Sequence, residues 1–270
     1  NTVNLTNATV AGAVLAQEAT LNTSSSSIAV PGSVYCTLTL PVHVRTFTAF
    51  QEHDGSWPTA AYIATDGATV TGEVNAQACD FAVYVQPNAH VTIQNATIHD
   101  ANQVGVFDDG AAVTLSTSTI YNIGDHVGDG KTGGAFSLGG TQTGFGIYVA
   151  TSSTMTANGN TIYNYQKAGI LARVLAGVFF RNNTITGAGP TNALAQIGVQ
   201  LGFPDAVVAS TTIGNFTGNT VTGNYYSPST DAAGLLGSMV SGENATTLTN
   251  TASSTNTINN NQTGQDIVIF

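Results

Sequence analysis

The stretch that decides the fold is Asn158 to Ile170, NGNTIYNYQKAGI, in which Asn-Thr-Ile is followed by a polar turn and then by a small residue and Ile. Its first half returns as Thr97-Ile98-His99, Thr119-Ile120-Tyr121, Thr184-Ile185-Thr186, Thr220-Val221-Thr222 and Thr257-Ile258-Asn259, with Glu73-Val74-Asn75 as a degenerate earlier copy. Asn stands before Thr at Asn160, Asn183, Asn219 and Asn256. The second half returns as Ala82-Val83-Tyr84, Gly105-Val106-Phe107, Gly146-Ile147-Tyr148, Gly198-Val199-Gln200 and Gly234-Leu235-Leu236. A third phrase precedes each Thr-Ile, as in Val91-Thr92-Ile93, Val113-Thr114-Leu115 and Met155-Thr156-Ala157.

The interval from Ile98 to Ile120 is 22 residues and that from Ile162 to Ile185 is 23, so one repeat is one rung and the longer intervals carry insertions. β-branched residues dominate each phrase, which predicts three short strands per rung. Such a rung cannot bury its own apolar face. Successive rungs must therefore stack and share one apolar interior, which makes the chain a parallel β-solenoid. Strand side chains alternate, so placing Ile98, Ile120, Ile162 and Ile185 inside puts Thr97, Thr119, Thr161 and Thr184 outside, together with His99, Tyr121, Tyr163 and Thr186. The Asn column then points inward at a turn, where stacked amides can bond to one another.

Composition agrees. Lys and Arg number 5, Asp and Glu 15, and charged residues make up only 7% of the chain. That is too few for the polar stripes of surface helices. The net charge of −10 repels both nucleic acid and an anionic membrane surface. The 42% hydrophobic content argues for a folded chain, and no apolar run is long enough to cross a bilayer. The chain begins at Asn1 with neither an initiator Met nor a basic and apolar leader, which fits a mature protein, secreted or at the cell surface. Cys36 and Cys79 are the only cysteines, and their even number suggests a disulfide formed in an oxidising compartment.

On these phrases, NGNTIYNYQKAGI and TGNTVTGNYY above all, the chain resembles the right-handed parallel β-helix superfamily, the pectate-lyase-like fold. The resemblance covers about Ala68 to Phe270. It implies an all-β coil over 68–270, with 1–67 as an N-terminal cap and first strands, in one continuous domain. Ala11 to Ala19 reads as a short capping helix and Tyr35 to Phe50 as strands. The superfamily includes lyases, glycoside hydrolases, epimerases, depolymerases and adhesins, so the resemblance implies a fold and no single activity. It also makes calcium an expected, though not required, partner.

Insertions are where a solenoid can place chemistry without breaking its stack. The longest, Ile123 to Gly144, contains Asp125, His126, Asp129 and Lys131, and the rung before it supplies His99 and Asp100. Asp100, Asp125 and His126 are thus candidate acid and base groups for glycan cleavage. Asp108, Asp109 and Asp129 are hard oxygen ligands suited to calcium. A lyase acting on uronate needs a base and cations, for which Lys131 and Lys167 are candidates, with Arg45, Arg173 and Arg181 as the remaining basic residues. Two aromatic columns at rung spacing are expected to face outward and meet sugar rings: His99, Tyr121 and Tyr163 in one, and Tyr84, Phe107 and Tyr148 in the other. Two further readings stay open: a surface or self-assembling protein without catalysis, and ice binding through the outward Thr-x-Thr pattern of Thr184, Thr186, Thr220 and Thr222. The reading that accounts for most of these features is a β-helix that binds, and as a lyase or hydrolase cleaves, an extracellular polysaccharide.

Overall fold

The alternation of Ile or Val with Thr builds three parallel faces around one bore. In the computed structural model the described residues are 2–6, 9–11, 20–24, 27–29, 36, 38–39, 59–77, 79–124, 143–150, 152–173, 177–192, 194–202, 216–227, 229, 231–237, 252–262 and 266–269. The first face is a nine-stranded sheet containing Thr59–Ala64, Phe81–Val85, Val104–Asp108, Phe145–Val149, Ala168–Ala172, Ile197–Leu201, Ala233–Gly237 and Ile267–Ile269 in spatial order. Leu38–Thr39 closes its edge with the one antiparallel pair among the described strands. The second face stacks Ala112–Ser116, Thr154–Asn158, Gly177–Arg181 and Phe216–Thr217. The third stacks Thr119–Ile123, Thr161–Tyr165, Thr184–Gly189, Thr220–Asn224 and Thr257–Ile258. His90–His99 runs through both of the latter faces and joins them into one sheet of 13 strands.

Register confirms the rung reading residue by residue. Ile98, Ile120, Ile162, Ile185, Val221 and Ile258 are successive Cα partners, and all but Ile258 are completely buried. Each such burial contributes about 2 kcal/mol. Thr97, Thr119, Thr161, Thr184, Thr220 and Thr257 form the matching outer row.

The buried Asn column is a continuous ladder. The amide of Asn160 donates to Asn183 Oδ1 at 2.9 Å, that of Asn183 to Asn219 at 2.9 Å, and that of Asn219 to Asn256 at 2.9 Å. Each also donates to the carbonyl of the next-to-last residue of a second-face strand: Leu115, Ala157, Phe180 and, for Asn256, Phe216. Such a row satisfies polar groups that would otherwise be orphaned at a buried corner.

The small residue of the Gly-Ile phrase has a steric cause. A Cβ on Gly146 would lie 2.6 Å from the carbonyl oxygen of Gly169 and 2.7 Å from Ile162 Cγ2, and Gly105 and Gly169 meet the same obstruction from the next rung.

Parallel stacking begins earlier than Ala68. Thr59–Ala64 pairs in parallel with Phe81–Val85, Ser27–Ala29 with Thr69–Asn75, and Thr9–Ala11 with Ser27–Ala29, so strands within 1–67, expected as a cap and first strands, already belong to the stack. The expected helix at Ala11 to Ala19 lies outside the described residues except for Ala11, which ends a strand. Cys36 and Cys79 form the expected disulfide, with Cα atoms 5.2 Å apart, and tie the chain before Leu38 to the corner that precedes Phe81.

The outer side of the first face departs from expectation. Tyr84, Phe107 and Tyr148 were expected to be exposed; they are buried, in a second apolar cluster with Phe81, Val104, Phe145, Leu171 and Ile197. Too many apolar side chains project from this side for it to face water, and the rings pack on each other, with Phe107 and Tyr148 centroids 4.9 Å apart. The Tyr84 hydroxyl donates to Asp109 Oδ2 at 2.6 Å, and burial followed by this contact pushes its titration far up.

Candidate functional site

On the third face the residue after each Thr-Ile faces outward, which lines up His99, Tyr121 and Tyr163 as Cα partners. Their rings stack along the coil axis. His99 and Tyr121 centroids are 4.9 Å apart at 12°, and Tyr121 and Tyr163 are 5.1 Å apart at 4°. Stacking hides the faces of the inner rings from any ligand and leaves mainly their edges. Tyr163 is the most accessible of the three, because the next residue in its column is the smaller Thr186, and the residue is 38% exposed.

Two carboxylates hold the His99 end of this stack. His99 Nε2 lies 3.1 Å from Glu73 Oε1, and Nδ1 lies 2.8 Å from Asp100 Oδ2. Asp100 is fixed in turn by the Asn122 amide, which donates to its other oxygen, and the Asn164 amide donates to Asn122 Oδ1 at 3.0 Å. Asp100, Asn122 and Asn164 have φ of 63°, 56° and 50°, the left-handed conformation that Asn and Asp tolerate best after Gly. They form a polar corner column immediately beside the rings. Access is graded: the side chain of Glu73 is 52% exposed, that of Asp100 26% and that of His99 7%. Partial burial, then the charges of Asp100, Tyr163 and Glu73, push the Tyr121 hydroxyl up from its ordinary titration range.

Chemically, this is an imidazole bridging two carboxyl groups, the more accessible of which opens beside a wall of phenol rings. Such a carboxyl can give or take a proton from a bound hydroxyl or glycosidic oxygen. Glu73 was passed over in the sequence because Glu73-Val74-Asn75 matches the repeat poorly. The available signal was its place in a Thr column, where it pairs with Thr97.

The other expected site residues separate. Lys167 does not join His99 and Asp100: its amine donates to the Ala195 carbonyl at 3.2 Å, its charge partner is Asp231, and burial lowers its titration. Asp108 and Asp109 do not converge as ligands. Asp109 is engaged by Tyr84 on the outer side, whereas Asp108 takes the place that Val85 and Val149 fill with apolar side chains in the neighbouring rungs. Asp108 Oδ1 accepts from the Ala111 amide at 2.9 Å, while Oδ2 is buried with no hydrogen-bond partner. Burial raises this carboxyl to about 7, against smaller lowering contacts from Ala111 and Ser153. Among the described residues no three His, Cys, Asp or Glu side chains are grouped to hold a metal. Asp125, His126, Asp129 and Lys131 lie outside the described residues.

The family model described as "Right handed beta helix region" matches residues 54–264. The chain belongs to the right-handed β-helix family. Neither a curated protein nor a solved structure matches it. Membership fixes the hand of the coil, and the match starts within the stretch expected as a cap and first strands. The chemistry of this β-helix has to be read from its own third face.

Proposed function

We propose that this β-helix is an extracellular protein whose third face binds a polysaccharide, with Glu73 as the proton-transferring group and His99 and Asp100 as the residues that position it. The observation that carries this reading is the ring stack His99, Tyr121 and Tyr163, open at Tyr163 and flanked at His99 by two partly exposed carboxylates. A sugar ring can pack against the exposed part of Tyr163 while its hydroxyls meet the tyrosine edges and Glu73. An extracellular location agrees with the Cys36 to Cys79 disulfide, since such bonds persist in oxidising compartments.

Hydrolysis suits these groups better than elimination. A lyase needs cations against the uronate carboxylate, and the strands of the third face present Glu73 and His99 but no Lys or Arg. The ice-binding reading has less support, because on the third face, among the described residues, Thr184 with Thr186 and Thr220 with Thr222 are the paired outward Thr rows, and the rungs before them carry His99, Tyr121 and Tyr163 in the second position.

The test is a glycan array followed by a cleavage screen that detects new reducing ends. Tyr163→Ala is expected to abolish binding, and Glu73→Gln to abolish cleavage of the bound glycan. Full binding by Tyr163→Ala would remove the ring stack as the ligand face. Unchanged product formation by Glu73→Gln would remove the acid role.

A further inference from the structure

Resting on that ligand face, we infer that its substrate class is a glycan bearing free amino groups, and that uronate polymers are disfavoured. The argument is the distribution of charge around the ring column. On the strands of the third face the charged and titratable groups other than tyrosine are Glu73 and His99, and the adjoining corner adds Asp100. The described basic side chains are placed elsewhere. Lys167 is turned to the Ala195 carbonyl and Asp231 in later rungs. Arg173 reaches the Tyr148 hydroxyl, on the outer side of the first face. Arg181 ends the second-face strand Gly177–Arg181. A uronate laid along the rings brings its carboxylate toward Glu73 and Asp100 with no Lys or Arg from these strands to neutralise it, and both nitrogens of His99 are already engaged by those two carboxylates.

Two further features favour a cation. Tyr163 ends the ring stack, is followed in its column by the small side chain of Thr186 and is 38% exposed, so an ammonium group can reach its ring for a cation and π contact. The carboxyl groups of Glu73 and Asp100 both stand beside the column, and after burial their charges help push the Tyr121 hydroxyl up. Glu73, half exposed and held by His99 through one oxygen, has capacity left to pair with an amino group on the sugar that rests against the tyrosines.

The experiment is calorimetric titration of the full chain with oligomers of glucosamine, N-acetylglucosamine and galacturonic acid of equal length, at mildly acidic pH and at two salt concentrations. Glucosamine is expected to bind tightest, about fivefold over its acetylated form at low salt, and the gap is expected to narrow as salt rises. Glu73→Gln is expected to bring that ratio close to one. Galacturonate binding as tightly as glucosamine, or a ratio untouched by Glu73→Gln, would overturn the charge class while leaving the ligand face standing. Failure of all three oligomers to bind would overturn the face itself.

Discussion

Asp108 supplies the sharpest physical test, because a single proton there links pH to the integrity of the coil. Its carboxyl replaces Val85 and Val149 in an apolar column and keeps one oxygen without a hydrogen-bond partner. Burial raises its titration from 3.8 to about 7, so the folded chain holds the proton well above the pH at which the unfolded chain releases it. Between these two values the folded state binds more protons than the unfolded state. Raising pH through that window therefore favours unfolding, while below about 4 and above about 7 the contribution is flat. One pKa unit corresponds to about 1.4 kcal/mol, so the full excursion amounts to about 4 kcal/mol. Asp108→Asn removes the titration and keeps an acceptor for the Ala111 amide. Guanidinium unfolding of both proteins at closely spaced pH values should show the variant gaining on the wild type by about 1.4 kcal/mol per pH unit from pH 4 to 7, and no further above that. A difference that stays constant across this range would refute the reasoning, since it would mean that the carboxyl is ionised in the folded chain at acidic pH.

Three other outcomes follow from the same structure. Asn183→Ala strips partners from the Asn160 amides, the Ala157 carbonyl and Asn219, and is expected to cost about 4 kcal/mol, whereas Asn182→Gly on the exposed side stays within about 0.5 kcal/mol; chemical denaturation of the two variants checks the contrast. Reducing the Cys36 to Cys79 bond, which spans a sequence separation of 43, is expected to lower stability by about 4 kcal/mol, and an unchanged denaturation midpoint after reduction would contradict it. Gly146→Ala forces a methyl against the Gly169 carbonyl and Ile162, with an expected cost of about 3 kcal/mol read from the shift in thermal midpoint.

The coil was legible in the sequence because its cause repeats. Ile98 to Ile120 and Ile162 to Ile185 are spaced 22 and 23 residues apart, and the Asn column marks one corner of the rungs from Asn160 onward, so stacking the phrases already superposes the residues that touch. The ring column His99, Tyr121 and Tyr163 was legible for the same reason. Alternation tells which side chains leave the bore, but it is silent on whether water or protein lies beyond them. That is why Tyr84, Phe107 and Tyr148 were expected in solvent and are buried. Asp108 and Asp109 read as ligands because Asp-Asp-Gly looks like a polar turn; aligning Val106-Phe107-Asp108 with Val83-Tyr84-Val85 and Ile147-Tyr148-Val149 would have put Asp108 in an apolar column. Glu73 stayed hidden because its rung is degenerate, so the more accessible carboxyl at the site emerged only from register.

The amide ladder has a consequence for how this molecule can change size. Asn160, Asn183 and Asn219 are held by the same set of contacts, each to the strand end behind it and to the next amide ahead. Excising the segment from Thr161 to Asn183 would bring Asn160 up against Thr184 and Asn219 with every contact type restored, whereas removing half as much would leave an amide facing the wrong wall. The height of the coil is therefore counted in integers: the stack gains or loses whole turns, while extra residues are taken up in loops between the strands.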